Sequence, residues 1–178
     1  FLLGVGLGFL TGLSRIAEDY FYPTFKVMAY VPVLGWLPVW LAVLGVSDAL
    51  KVVLIAQAAL SPIVLNVHDG VRDVPLSLLQ VGRVFLFTPL QNLRWIVLPV
   101  AFPRIWSGIR FGLTKAWLVL VAVELLASTK GLGYMMVNAR NLYQIDIMFV
   151  SVIAIATVGL LLDRGLEAVE RHVLRWRS

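Results

Sequence analysis

Few residues in this chain are of types that could do chemistry, and they are thinly spread. His68 and Asp69 are adjacent, with Asn66 two residues before them. Such a pair suits metal ligation or proton transfer, but two neighbouring ligands without a third partner make a weak centre. At the end of an apolar run, interfacial solvation is the expected role for the pair. No convergent cluster such as HExxH occurs. Nor does GxxxxGK[ST], and the lone Gly131-Leu132-Gly133 is too short to cradle a nucleotide phosphate. The absence of cysteine excludes thiolate metal sites, disulfides and cysteine nucleophiles. What remains are three charges inside an apolar run, Arg110, Lys115 and Glu124. Ionisable groups in such surroundings are costly and mark pathways or pairs. Arg110 and Glu124 lie on nearly one helix face but about 21 Å apart, too far to pair. Lys115 points about 140° away from Arg110.

The elements that position these groups are membrane helices. Of the 178 residues, 60% are hydrophobic and 14% charged, with mean hydropathy +0.90. Soluble domains average about 25% charged residues, so this is an integral membrane protein. The net charge of +5 does not imply nucleic acid, because the basic residues gather in breaks and at the C-terminus, as positive-inside bias requires.

The expected class is an all-α polytopic transmembrane bundle, with four complete spans and one shortened N-terminal helix. Phe1 to Leu13 is shorter than the roughly 20 residues needed to cross, which reads as a truncated helix. Its Gly4, Gly8 and Gly12 have the small-xxx-small spacing of close helix packing, and Gly108 with Gly112 form a second such face. Ser14 to Asp19 is expected to be a polar break, with Pro23 restarting the chain. Val27 to Ser47 is a charge-free span that Pro32, Gly35 and Pro38 should kink or break. Asp48 and Lys51 mark a turn. Val52 to Val67 is the next span, with Gln57, Ser61, Pro62 and Asn66 facing the bundle or a cavity. Ile105 to Ser128 follows, with Arg104 snorkelling at its start. Ser128 to Tyr143 is a polar interlude with flexible turns at Gly131 and Gly133. Ile147 to Leu162 is the last span, and Asp163 to Ser178 a charged amphipathic tail carrying Arg164, Arg171, Arg175 and Arg177.

Between the second and third of these complete spans lies a long basic break, Val71 to Arg104. Asp73 followed by Pro75 signals a helix start, and that helix should run to about Phe87. Thr88-Pro89-Leu90-Gln91 is a capping-box start for a second helix, expected to end before Leu98-Pro99. Ser77, Gln80 and Arg83 fall three apart, a polar stripe on an apolar rod. That surface suits a helix pair at a membrane interface, either alone or fitted to a groove on another protein. Placing this stretch in the cytoplasm puts Arg72, Arg83, Arg94 and the C-terminus inside, and leaves Lys51, Lys130 and Arg140 outside.

With its exit at Ile96-Val97-Leu98-Pro99, this stretch resembles the cytoplasmic coupling loop of bacterial ABC importer permeases. The resemblance runs from Gly4 onward and is closest to the nitrate, sulfonate and taurine group, in LPVAFPRIWSGIRFGLTKAWLVLVAVELLAS, GLGYMMVNAR and VGLLLDRGLEAVERHVLRW. Counting back from Leu98-Pro99, the usual Glu-Ala-Ala falls on Gln80, Val81 and Gly82, and the usual glycine on Leu86. Glu124 matches the family glutamate. Asn138-Ala139-Arg140 with Gln144 and Asp146 is most similar to the aliphatic sulfonate branch.

The resemblance implies a single permease domain over residues 1–178 of the bacterial inner membrane, N-terminally truncated, with residues 71–98 as its coupling loop. Ser77, Gln80, Gly82, Arg83, Leu86, Thr88, Gln91 and Pro99 would serve ATPase coupling. Asn66, Arg110, Lys115 and Glu124 would border the translocation path, the two cations favouring a small anion and Glu124 pairing or gating. Neutralisation of the interface is the other reading of Arg110 and Lys115. Implied partners are ABC ATPase subunits, an extracytoplasmic substrate-binding protein, a second permease copy and membrane lipid, with no cofactor and no nucleic acid. The permease would not itself be an enzyme. A secondary transporter and a structural membrane subunit stay open as alternatives.

Overall fold

Three glycines spaced four residues apart strip one side of the first helix of side chains, and a neighbouring helix fills the space. In the computed structural model, which describes residues 1–173, α1 runs Leu2–Leu13 and α4 runs Asp48–Arg72. A Cβ added at Gly4, Gly8 or Gly12 would come within 2.9, 2.5 and 2.8 Å of Ile63, Val67 and Val71. Those three residues share the spacing of the glycines, so the two helices interlock at one register. A second face of α4 meets α7, Leu98–Ala127, in the same manner. There a Cβ at Gly108 would lie 2.6 Å from that of Asn66, and one at Gly70 would lie 2.9 Å from that of Arg104.

The described residues form two compact units. One comprises residues 1–30 and 60–112, and the other comprises residues 31–59 with the described residues from Leu113 onward. The first holds α1, α2 (Arg15–Tyr30), the second half of α4 and the start of α7. Ser14 alone breaks the chain, its hydroxyl accepting from the Ala17 amide at 3.3 Å to cap α2. The polar break expected to extend to Asp19 is therefore helical. α2 also continues through Pro23, which is exposed, so the carbonyl left without a partner one turn earlier can turn to its surroundings.

In the second unit Leu50, Leu54, Val123 and Ala127 form the buried core, with Trp36, Trp40, Leu41 and Leu44 packed on it. The expected disruption at Pro32, Gly35 and Pro38 is a full break. α2 ends, a 3-10 turn covers Val33–Trp36, and α3 runs Leu37–Leu44 with Pro38 in its first turn. Gly45, at φ +62°, ends α3. The Trp40 indole donates to Gln57 Oε1 at 3.0 Å, which satisfies one polar group of the following span.

Asp48 and Lys51, expected in a turn, instead form the first turn of α4, and Ser47 Oγ accepts from the Leu50 amide. The polar interlude contains α8, Leu132–Asn141. Of its two glycines only Gly131 makes a turn, at φ +119°, while Gly133 is helical. α9, Ile145–Val173, absorbs the start of the charged tail, and Arg175 and Arg177 lie outside the described residues. By length and composition, Asp48–Arg72, the run Pro89–Asn141 and Ile145–His172 can each cross a membrane. Counted as one span, the broken pair α2 and α3, bent by 94°, makes a fourth, and the all-α class is as expected.

Overpacking tests the α1–α4 register. Gly8→Val should cost about 1–3 kcal/mol, seen as a lower thermal unfolding midpoint of the purified protein. Gly6→Val is the control, because nothing lies within 4 Å of that position.

Candidate functional site

The stretch between α4 and α7 folds back on itself because of one glycine. α5 runs Leu76–Val84, and a single turn α6, Pro89–Asn92, leads through a π-helical turn, Leu93–Val97, into α7. Gly82 sits where these pieces cross. A Cβ there would be 2.6 Å from Asn92 Oδ1 and 2.9 Å from Ile96 Cδ1. The capping box at the start of α6 forms as expected: the Thr88 amide donates to Gln91 Oε1 at 2.8 Å, and the Gln91 amide to Thr88 Oγ1 at 3.3 Å.

Three local expectations need correction. Asp73 does not cap α5, whose N-cap is Pro75 without a side-chain bond, because Arg104 draws the carboxylate away at 3.0 Å. α5 stops at Val84 rather than near Phe87, and Leu86 takes the left-handed conformation at φ +55°. The second helix does not end before Leu98-Pro99. Leu98 is helical at φ −58° and ψ −52°, with its amide bonded to the Leu93 carbonyl five residues back. The wider π turn admits the proline ring without the usual clash.

The outer surface of this helix pair is exposed. Ser77, Gln80 and Arg83 all lie on it, and Leu76, Val84, Phe85, Leu86, Leu90 and Trp95 are exposed with them, Leu86 to 88%. A polar stripe among exposed apolar side chains is the composition of an interaction surface rather than of a solvated loop. Pro99 is half-buried at the start of α7.

At the base of the stretch lies a polar cluster that single-residue reading missed. Glu18 pairs with Arg72, and His68 Nε2 is 3.7 Å from the same carboxylate. The His68 ring stacks on Tyr22 with centroids 3.9 Å apart, and the Tyr22 hydroxyl donates to Asp69 Oδ1 at 3.1 Å. Arg104 then reaches Asp69 at 3.9 Å and Asp73 at 3.0 Å. His68 is thus 4% exposed rather than solvated at an interface, and Arg104 is held by carboxylates rather than simply snorkelling. His68 and Asp69 turn to different partners, so they do not converge as a ligand pair. The available signal was helical spacing: Glu18 and Tyr22, His68 and Arg72, and Asp69 and Asp73 are each one turn apart.

Of the residues expected along a translocation path, Asn66 and Arg110 lie in the first unit and Lys115 and Glu124 in the second. The Asn66 amide donates to the Pro62 carbonyl at 2.8 Å. Glu124 Oε2 accepts from the Gly133 amide at 3.0 Å, placing a carboxylate at the N-terminus of α8, where orphan amides and the helix dipole favour it. A Cβ at Gly133 would lie 2.7 Å from that of Glu124, so glycine is what lets the carboxylate in. Arg110 and Lys115 are both half-buried on α7. In the loop before α8 Lys130 donates to Asp48 at 2.8 Å.

Residues 4–175 match the family described as binding-protein-dependent transport system inner membrane component. The chain belongs to this family. SsuC of Bacillus subtilis (strain 168), named for aliphatic sulfonates transport, is 38% identical over 182 residues, covering 100% of this chain and 66% of that protein. The nitrate import permease protein NrtB of Synechocystis sp. (strain ATCC 27184 / PCC 6803 / Kazusa) is 35% identical, covering 97% and 63%. The taurine transport system permease protein TauC of Escherichia coli (strain K12) is 31% identical, covering 99% and 64%. The chain thus spans about two thirds of the length of these relatives. A solved structure of the MetNI methionine ABC transporter in an inward-facing conformation shares the fold, with a TM-score of 0.74 at 19% identity, over 97% of this chain and 87% of that one.

In this permease-family chain the Glu124 cap is directly testable. Glu124→Ala should destabilise by about 0.5–2 kcal/mol, as for other lost caps, and hydrogen exchange at the first amides of α8 should accelerate. Glu124→Gln, which keeps an acceptor oxygen, should lose less.

Proposed function

We propose that this chain is the membrane-spanning permease subunit of an ATP-driven importer for a small anion of the sulfonate, nitrate or taurine class. Within a single permease domain, residues 71–98 are the cytoplasmic coupling loop, which docks into a groove on a partner ATPase subunit. The subunit does no chemistry of its own. ATP hydrolysis in the partner drives alternating access between two packings of the membrane helices. A second copy of the permease completes the path, an extracytoplasmic binding protein delivers the solute, and the C-terminus faces the cytoplasm. The names of the relatives support the solute class, and the basic loop supports the orientation.

The observation that carries the reading is the exposed face of the helix pair. Its stripe of Ser77, Gln80 and Arg83 offers hydrogen bonds in a row, flanked by Leu76, Val84, Phe85 and Leu86. Buried Gly82 lets the pieces cross behind that face, the exposed Thr88 and Gln91 fix the start of α6, and Pro99 enters the membrane helix that follows. Leu86 is the telling residue. A left-handed backbone costs a non-glycine residue roughly 1–2 kcal/mol, and its side chain is nearly free of the rest of the chain. Strain kept at an exposed apolar residue belongs with binding. For the path itself, Arg110 and Lys115 supply the positive potential an anion needs in a low-dielectric setting. Asn66 and Glu124 shape its walls through their bonds to Pro62 and Gly133.

Leu86→Gly separates the two roles. Relief of the strain, less the chain entropy of glycine, should leave thermal stability unchanged or raised by up to about 1 kcal/mol. Affinity for the ATPase subunit should fall about tenfold, as for an interface side chain contributing about 1.4 kcal/mol. Unchanged affinity in a binding titration would remove the loop from the interface.

A further inference from the structure

We propose that the polar cluster at the base of the coupling loop is a clamp that makes α2 move with the loop, and that Glu18, Tyr22, Arg72 and Arg104 are its positioning residues. The inference rests on the permease reading above and says which contacts carry the loop's displacement into the N-terminal helices.

The cluster sits at both ends of the loop. Arg72 is the last residue of α4, Asp73 is the first residue beyond it, and Arg104 lies in the second turn of α7, just after the loop has returned. The Arg104–Asp73 ion pair at 3.0 Å therefore closes the base of the loop across its two strands of chain. Beside it α4 and α7 are already locked sterically, since Gly70 packs against the Cβ of Arg104 and the carbonyl of Ala101. Entry and exit thus form one body.

α2 joins that body differently. Its buried side chains are Ala17 and Phe25, too few to fix a 16-residue helix by packing alone. What ties it to α4 are directional contacts: Glu18 to Arg72, Tyr22 stacked on His68, and the Tyr22 hydroxyl to Asp69. Asp69 is shared, since Arg104 also reaches it at 3.9 Å. A pull on the loop base is transmitted through Arg104 and Asp69 to Tyr22, and through Arg72 to Glu18. Ion pairs suit this task because their geometry is specific while their net contribution to folding is small, so they can hold α2 in place without being the main source of its stability.

The test uses the full importer, permease with its partner ATPase and binding protein, reconstituted in lipid vesicles. The readout is the number of solute molecules imported per ATP hydrolysed, which does not depend on how much protein folds. Glu18→Arg and Arg72→Glu should each lower that ratio about tenfold, with the KM for solute unchanged and ATP hydrolysis continuing. The double reversal, which restores the pair with its charges exchanged, should recover most of it. Should a reversal prevent assembly, Tyr22→Phe and Glu18→Gln, which keep size and shape, should still lower the ratio severalfold. Wild-type ratios in the single variants, or a double reversal as defective as either single, would overturn the clamp while leaving the permease reading intact. A wild-type assembly that neither imports solute nor responds to it would overturn the permease reading, and the clamp with it.

Discussion

Where a glycine lets a neighbouring side chain into the space its own Cβ would fill, neither helix can slide along the other by less than a full turn, and α4 is held this way on two faces. Gly4, Gly8 and Gly12 of α1 lie over Ile63, Val67 and Val71, while Gly108 of α7 and Gly70 of α4 admit the other contact. In lipid the hydrophobic effect gives no drive for one helix to find another, so such close fits carry the association. They also make the packing discrete. Helices locked by interdigitation change partners by steps rather than by gradual deformation, which is the behaviour an alternating-access subunit needs.

Polar groups follow from that frame. Backbone and side-chain donors at membrane depth must be satisfied within the protein, and three polar side chains of the spans find partners nearby. Trp40 finds Gln57 across two elements, Asn66 finds the carbonyl one turn before it, and Glu124 finds the Gly133 amide in the first turn of α8. A cluster of ionic contacts lies instead at the base of the stretch between α4 and α7, where Arg104 and Asp73 remain about half exposed. Close steric fits set the register of the helices, and ionic contacts tie α2 and both ends of the stretch between α4 and α7 together.

Much of this was legible in the sequence where the signal is local or periodic. The glycine spacing of α1, the Thr88–Gln91 capping box and the break at Pro32 each rest on short-range chemistry that tertiary context does not override. Local signals failed where a distant partner competed. Asp73 should cap α5 by its position, yet the guanidinium of Arg104 takes it. Pro99 should stop a helix, yet a π turn just before it opens the backbone enough to continue. His68 next to Asp69 looked like interfacial solvation because nothing in sequence places Tyr22 and Glu18 over them. The departures from the usual coupling-loop pattern gained a physical meaning only in three dimensions. Gly82 is where two helices cross, and Leu86 stands at a position whose backbone favours glycine.

The central claim is that the helix pair between α4 and α7 faces the cytoplasm and seats on an ATPase. Because the chain has no cysteine, a single Val84→Cys places one thiol at the centre of that face. The decisive measurement is its labelling by a membrane-impermeant thiol reagent in sealed vesicles of each orientation, with and without the ATPase subunit bound. The account predicts labelling only from the cytoplasmic side, and protection when the ATPase is present. Labelling from the outer side, or equal labelling with the ATPase bound, would contradict it.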